Sequence, residues 1–325
     1  MHAIEVENLS KKFGDFVAVN GISFNVQQGE VFGFLGPNGA GKTTTTRMLT
    51  GISTPTAGKA RIMGYDIQHE AFQAKELMGV VTDLSNVYNE LTAWDNLIFT
   101  AKLYGVPRGQ RAERANELLK MFGLSDVKNQ DVGEFSGGMK RRLTIAMALV
   151  NEAKVLFLDE PTAALDVQSV RTIRNLIRQL NAKGTTIFLT THNMAEASEL
   201  CDRIAIINQG EIGVIDSPER LKQTIERTHS IEVTFTESDS EIIQSLEKLD
   251  SIRNTKKHGD KMRLYTDDPA TTISDVFQFA QERELKILSI NTLSPSLEDV
   301  FLELTGEKIV ERPKKGGPGK GGKRR

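Results

Sequence analysis

The sequence predicts an α/β fold with a parallel central sheet, interrupted by a helical block and followed by a small α+β unit. An apolar run, VFGFLG at 31–36, leads into a glycine-rich loop, GPNGAGKTT at 36–44, and then into a helix-forming stretch. Two further apolar runs, VLFLD at 155–159 and TTIFLT at 185–190, read as strands buried on both faces, as in a parallel sheet. Past Thr224 the order changes to strand, helix, two strands, helix, strand.

Taken in order, IEVENL at 4–9 and the segment from Val17 to Val26 read as early strands, and VFGFLG is the strand that feeds the loop. Lys42 to Leu49 opens a helix. Between Asn89 and Phe122 the periodicity is helical, in LTAWDNLIFTAKLYG and RAERANELLKMFG, with Gly105, Pro107 and Gly109 breaking the two apart. Ser136, Gly137 and Gly138 precede another helix through MKRRLTIAMALV, so the helical insertion spans about 89–150. Beyond it, IEVTFT, SEIIQSLEKL, SIRNTKK, KMRLYT, TTISDVFQFAQERE and LKILSINTL follow the βαββαβ order of a ferredoxin-like unit. A last helix, PSLEDVFLELTG, is expected to close that unit at Gly306. The domains expected are therefore 1–225, 226–306 and a basic tail at 307–325.

Composition narrows the class. The 325 residues, 39% hydrophobic, suffice for two globular cores. No uncharged apolar run approaches the roughly 18 to 20 residues of a spanning helix, and the N-terminus lacks a signal-peptide pattern, so any membrane role is expected to come through a partner. The single cysteine, Cys201, excludes an internal disulfide framework and fits a reducing cytosol. Residues 312–325 hold seven basic residues and no acid, which leaves a formal −9 on the rest. Rich in Gly, Pro and Lys, that tail is expected to be disordered; it either touches anionic lipid or nucleic acid or is simply solvated, and no specific nucleic acid is expected as a partner.

GPNGAGKTT fits G-x-x-x-x-G-K-[ST] with Gly36, Gly41, Lys42 and Thr43 in register. In such a loop, backbone N–H groups cradle phosphate oxygens and the following helix adds its positive dipole end. Lys42 supplies a point charge to the β- and γ-phosphates, and Thr43 a hydroxyl to Mg²⁺, a cation that prefers oxygen ligands. Asp159 ends a buried strand, where its carboxylate reaches Mg²⁺ or a bound water. Glu160 follows as the candidate general base, its alternative being a helix cap before Pro161. Ser136, Gly137 and Gly138 offer a hydroxyl, exposed N–H groups and a helix N-terminus: a second anion site, or a plain helix cap.

In their order along the chain, GPNGAGKTT, FSGGM and VLFLDE closely resemble the nucleotide-binding subunit of an ABC transporter, over about residues 3–225. The resemblance implies a P-loop NTPase cassette of ABC type with a helical insertion. It places ATP on Gly36, Pro37, Asn38, Gly39, Ala40, Gly41, Lys42, Thr43 and Thr44. It implies that Ser136, Gly137 and Gly138 face the γ-phosphate of ATP held by a partner subunit, in a two-fold homodimer or heterodimer with two nucleotides at its interface. AALD at 163–166 resembles the D-loop, which adds Asp166 to the nucleotide contacts. His192, just after a buried strand, resembles the switch histidine that contacts the γ-phosphate. His2, His69, His229 and His258 are left as surface residues. Phe13 occupies the position of the aromatic that stacks on adenine; its alternative is core packing against Val17 and Val19.

Two positions depart from the family. The motif reads FSGGM rather than LSGGQ, so Met139 replaces a glutamine. At Asp83 the family usually carries a glutamine that contacts Mg²⁺ or the attacking water. Asp83 either serves the metal or points to solvent. The resemblance implies an ATPase subunit driving a separate membrane permease, and the C-terminal SLEDVFLELTG resembles the extension of ATPases that pair with exporters of drugs, polysaccharides, sodium or lipids. Closure on ATP and reopening on hydrolysis would reach the permease through the helical insertion and the loop from Asp83 to Leu91, with docking near Tyr88 and Trp94 unless these are core. The implied location is cytoplasmic, peripheral at the membrane through the permease. The alternatives are a soluble ABC ATPase of translation, which would carry two cassettes, a chromosome or repair ATPase, which would need a long coiled coil, and a non-hydrolysing regulatory dimer.

Overall fold

The computed structural model describes residues 1–82, 86–223, 229–236, 240–293 and 296–305. Asp83, the junction expected at 225–226, Gly306 and the tail at 307–325 lie outside the described residues.

The chain opens with a hairpin, β1 (His2–Phe13) and β2 (Phe16–Gln27), turned through Gly14 at φ 57° and Asp15. β3 (Val31–Leu35) runs through the glycine loop into α1 (Lys42–Leu49). β4 (Ala57–Ile62), β5 (Tyr65–Asp66), α2 (Ala71–Glu76) and β6 (Met78–Val81) follow. The helical block comprises α3 (Ala93–Leu103), α4 (Arg108–Met121) and α5 (Gly137–Met147). Thr92 starts α3 by accepting the Asp95 N–H at 3.0 Å, and Gly105 at φ 73° ends it in the left-handed conformation a helix stop needs. The cassette then runs through β7 (Val155–Asp159), α6 (Val167–Ala182), β8 (Thr186–Thr191), α7 (Met194–Leu200), β9 (Arg203–Asn208), β10 (Glu211–Asp216) and α8 (Pro218–Gln223). The last unit holds β11 (His229–Phe235), α9 (Ser240–Leu246), β12 (Asn254–His258), β13 (Lys261–Thr266), α10 (Pro269–Glu282), β14 (Ile287–Leu293) and α11 (Leu297–Thr305).

The central sheet has the order β10-β9-β3-β8-β7-β6, with all neighbours parallel except the β10–β9 hairpin. β3, β7 and β8 are buried on both faces, which is why they read as unbroken apolar runs. Alternate residues serve different cores. Phe32, Phe34, Phe157 and Phe188 point to one side, where Phe24 of β2 stacks on Phe32 with ring centroids 5.5 Å apart. Leu35, Leu156, Leu158 and Leu189 belong to the other core, beneath the helical block and α6. Single-sequence periodicity did not show that β1 and β2 leave this sheet: they form a separate antiparallel sheet, β2-β1-β4-β5, over the phenylalanine side. Their mixed buried and exposed residues suit a sheet wet on one face.

The C-terminal sheet has the order β12-β13-β11-β14, antiparallel throughout, with its own core of Ile231, Val233, Leu264, Val276 and Phe279. This is the ferredoxin-like arrangement. α11 behaves differently from the expected closing helix. Its Leu297, Val300 and Phe301 are buried in the cassette core with Leu221, Ala197 and Leu200, against α7 and α8. Its acidic side faces the C-terminal sheet, where Glu298 lies 3.8 Å from Lys256. Among the described residues no helix is long and apolar enough to cross a membrane.

Candidate functional site

Gly36 to Thr44 form the turn from β3 into α1. Gly36, Ala40, Gly41 and Lys42 are buried, Pro37 and Thr44 are half-buried, and Asn38, Gly39 and Thr43 are exposed. Gly41, at φ 110°, caps α1 with no side chain; a Cβ there would lie 2.8 Å from the Ala18 carbonyl oxygen of β2, so only glycine lets the loop lie this close. Lys42 turns back along the loop and donates from Nζ to the carbonyls of Gly36 (2.8 Å) and Pro37 (3.1 Å). Its ammonium also lies 3.6 Å from Glu160 Oε1. Burial pushes the Lys42 pKa below the ordinary lysine value, and the carboxylates of Glu160 and Asp159 oppose that shift.

The carboxyl ends of β7 and β8 complete the centre, because their parallel register sets Asp159 beside Thr190. Thr43 Oγ1 donates to Asp159 Oδ2 at 3.2 Å, and the Thr190 hydroxyl donates to Asp159 Oδ1. A hydroxyl and a carboxylate, oxygen donors only, form a set that suits Mg²⁺. Glu160 stands at φ 48°, unusual for a residue other than glycine, with its N–H bonded to the Thr190 carbonyl at 3.0 Å. His192 Nδ1 lies 2.9 Å from Glu160 Oε2. That hydrogen bond holds the His192 pKa above its ordinary value, against the opposing effect of partial burial. Lys42, Glu160 and His192 thus form one chain of polar contacts beside the Thr43–Asp159 pair.

Phe13 ends β1, 55% exposed, with Lys11 Nζ 5.1 Å from its ring centre. Core packing is thereby excluded for Phe13, whose ring is exposed with the Lys11 ammonium over one face. Ser136 caps α5, its hydroxyl accepting the Met139 N–H at 3.2 Å. Gly137 and Gly138 pack against the 163–169 segment; a Cβ on Gly138 would sit 2.1 Å from Ser169 Oγ. Asp166 caps α6, accepting from the Ser169 N–H (2.9 Å) and hydroxyl (2.6 Å), and these bonds hold its carboxyl below the usual carboxylate range. Ser169 therefore meets both Asp166, by hydrogen bonds, and Gly138 of the SGG segment, by close packing.

The helices that follow the glycine loop and the SGG segment do not share a core. Met48 and Leu49 of α1 are buried on the phenylalanine side of the central sheet, whereas Leu143 and Ile145 of α5 are buried on the leucine side. Trp94 packs against the cassette core, and Tyr88 is exposed with its ring edge-on to Phe99. At the other end of α3 from Trp94 is an open groove of about 1010 Å³, lined by Phe72, Leu103, Tyr104, Arg114, Glu117 and Glu152 among others. Of the remaining histidines, His2 and His69 are exposed and His229 is half-buried.

Sequence reasoning missed three participants. Thr190 holds Asp159 in place; its signal is a polar residue at the end of an apolar strand. Glu196, wholly buried on α7, accepts from the Thr162 hydroxyl at 2.7 Å, and burial raises its pKa. Arg141, on the buried face of α5, donates to the carbonyls of Thr82 (2.6 Å) and Glu160 (3.0 Å). Its spacing from Gly138 and Ile145, three and four residues, marks it as inward-facing from sequence.

The family described as "ABC transporter" matches residues 19–163, and "ATP-binding protein DrrA1-3-like, C-terminal domain" matches residues 217–305. The chain is 36% identical over 310 residues to the linearmycin resistance ATP-binding protein LnrL of Bacillus subtilis (strain 168), covering 94% of this chain and 99% of that one. It is 38% identical over 307 residues to the Nod factor export ATP-binding protein I of Rhizobium sp. (strain N33), covering 94% and 98%. Among solved structures it resembles a dimeric ATP-binding cassette in a post-hydrolysis state bound to ADP and Pi, with a TM-score of 0.59 and 28% identity over 66% of this chain and 98% of that one.

Proposed function

Because the chain belongs to the family of ATP-binding subunits of ABC transporters, we propose that it assembles its hydrolytic sites from two copies, each site joining one chain's glycine loop to the other's SGG helix. The chain is the ATP-hydrolysing subunit of an exporter-type ABC transporter. One observation carries the shared-site reading: α1 and α5, whose N-termini each offer an anion site, are packed on opposite faces of the central sheet. A second nucleotide contact at Ser136 is then best supplied to a neighbour, in a homodimer or a heterodimer.

In this reading ATP takes over the loop amides from Gly36 to Thr44, and its phosphates compete with the Gly36 and Pro37 carbonyls for Lys42. Phe13 stacks on the base. Ser136, Gly137 and Gly138 of the other copy approach the γ-phosphate, with Asp166 fixing the segment beside them through Ser169. Thr43 and Asp159, with Asp83, would hold Mg²⁺, which when bound would supply positive charge against the phosphate oxygens. Glu160 accepts the proton of the attacking water, and His192, bonded to its other oxygen, keeps the carboxylate aimed and reaches for the γ-phosphate. ATP binding closes the pair and hydrolysis reopens it.

The membrane partner is a separate permease, and the groove beside Leu103 and Tyr104 suits its docking, since it exposes apolar side chains at the edge of the helical block. Residues 1–225 form the cassette, with its insertion at about 89–150, and 226–306 a regulatory or dimer-supporting unit. The location is the cytoplasmic face of the membrane, through the permease. Glu160→Gln tests the site. We expect ATP binding to persist while turnover falls about 10² to 10⁴-fold, the range for loss of a general base. Retention of most ATPase activity removes Glu160 from the role.

A further inference from the structure

We propose that Arg141 is a positioning residue for hydrolysis, tying the SGG helix to the base Glu160 and to the start of the loop after β6 in its own chain; this rests on the assignment of Glu160 as the base. Arg141 is 4% exposed. Its two terminal nitrogens go to carbonyls of different segments, Nη1 to Thr82 at 2.6 Å and Nη2 to Glu160 at 3.0 Å. The Glu160 peptide segment is thereby held from two sides. Its N–H is fixed by the Thr190 carbonyl of β8, and its carbonyl accepts both from Arg141 of α5 and from the Ala163 N–H at 3.2 Å, around a residue at φ 48° that would not hold that conformation unaided. Such a backbone aims its side chain only while the surroundings over-determine it, and Arg141 is the contact contributed by α5.

The geometry also says what the contact transmits. Arg141 lies five residues into α5 from the Ser136 cap, a rise of roughly 7.5 Å along a rigid helix. A shift of the SGG end, as a partner's nucleotide engages it, moves the guanidinium and with it the Glu160 carbonyl. Thr82, at the other nitrogen, directly follows β6, so the same fork ties the end of that strand to the Glu160 segment. A planar fork can span two carbonyls at fixed separation; a lysine is a single point charge and a glutamine amide lacks the reach and the charge.

The test uses the full-length chain carrying Arg141→Ala, Arg141→Lys or Arg141→Gln, alone and with Glu160→Gln. ATP affinity is measured by titration calorimetry, hydrolysis by phosphate release, and folding by thermal unfolding. Since Arg141 acts through Glu160, we expect kcat to fall about 10-fold or more in the Ala and Gln variants, with ATP affinity within about 2-fold and partial recovery in the Lys variant. In single-turnover hydrolysis, adding Arg141→Ala to Glu160→Gln should cost less than about 2-fold, because coupled residues do not add. Losses that multiply in the double variant, or an ATP affinity that falls in parallel with kcat, overturn the proposal. If Arg141→Ala does not fold, the Lys and Gln variants carry the comparison, and Gln turnover equal to wild type overturns it. Normal turnover in Glu160→Gln sinks the base assignment itself, a result distinct from normal turnover in the Arg141 variants.

Discussion

Gly138→Ala adds one methyl group at the tightest point of the SGG segment. The new Cβ would meet Ser169 Oγ at 2.1 Å and Ser169 Cβ at 2.7 Å, both well inside contact distance. Rotating the hydroxyl away does not relieve the second clash, and it breaks the bond by which Ser169 serves Asp166 at the start of α6. Overpacking of this kind costs about 1 to 3 kcal/mol, and weakening a helix cap about 1 kcal/mol more. Replacing glycine within a helix returns at most about 1 kcal/mol. The net is a loss of about 1 to 3 kcal/mol, roughly 5 °C in thermal midpoint for a domain of this size. ATPase activity should fall further than stability, since α5 is displaced where a partner's nucleotide would sit, while ATP binding to the glycine loop is spared. Thermal unfolding and phosphate release read the two effects separately. Ser169→Gly in the same chain removes both clashing atoms and should restore most of the midpoint. A Gly138→Ala protein with unchanged midpoint and unchanged ATPase would refute the steric argument.

Two further outcomes follow from the contacts at His192 and α11. The His192 pKa is raised by its bond to Glu160, so its stabilising contribution is complete below the unfolded value of about 6.5 and is lost as pH rises through the folded value. The stability difference between wild type and His192→Ala should therefore be larger at pH 6 than at pH 8 in urea unfolding, and Glu160→Gln should flatten it; a difference that grows with pH contradicts the pairing. Phe301→Ala should destabilise the cassette by about 3 to 5 kcal/mol, the range for emptying a buried phenylalanine site. Trp94, the one tryptophan of the chain, sits in the helical block and reports this by fluorescence, and an unmoved Trp94 transition would place α11 outside the cassette core.

Much of the site was legible because its chemistry is local in sequence. A glycine loop between an apolar strand and a helix has few other uses, and Lys42 and Thr43 fall within it. Asp159 and Glu160 are marked by the end of an unbroken apolar strand. Phe13 was ambiguous, since an aromatic near a hairpin turn packs inward or stays exposed, and only the structure shows it exposed. Trp94 was ambiguous for the same reason and lies half-buried against the cassette core. The second sheet was invisible because β1 pairs with β4, Ser10 with Ala57 and Ile4 with Ile62, across some fifty residues, a partnership that alternation within one strand does not encode.

α11 shows the limit most clearly. Its amphipathic pattern predicted a helix with one buried face, and that helix exists; which core would receive Leu297, Val300 and Phe301 depended on where the preceding sheet delivers the chain. By itself the sequence determined the elements, the phosphate loop, the acidic strand end and the family, because periodicity, turn residues and motif spacing act over a few residues. Tertiary structure alone decided the Glu160–His192 contact, the Arg141 bridge, the opposite placement of α1 and α5 and the docking of α11. Each of these joins segments far apart in the chain, and their approach is set by the packing of the whole core.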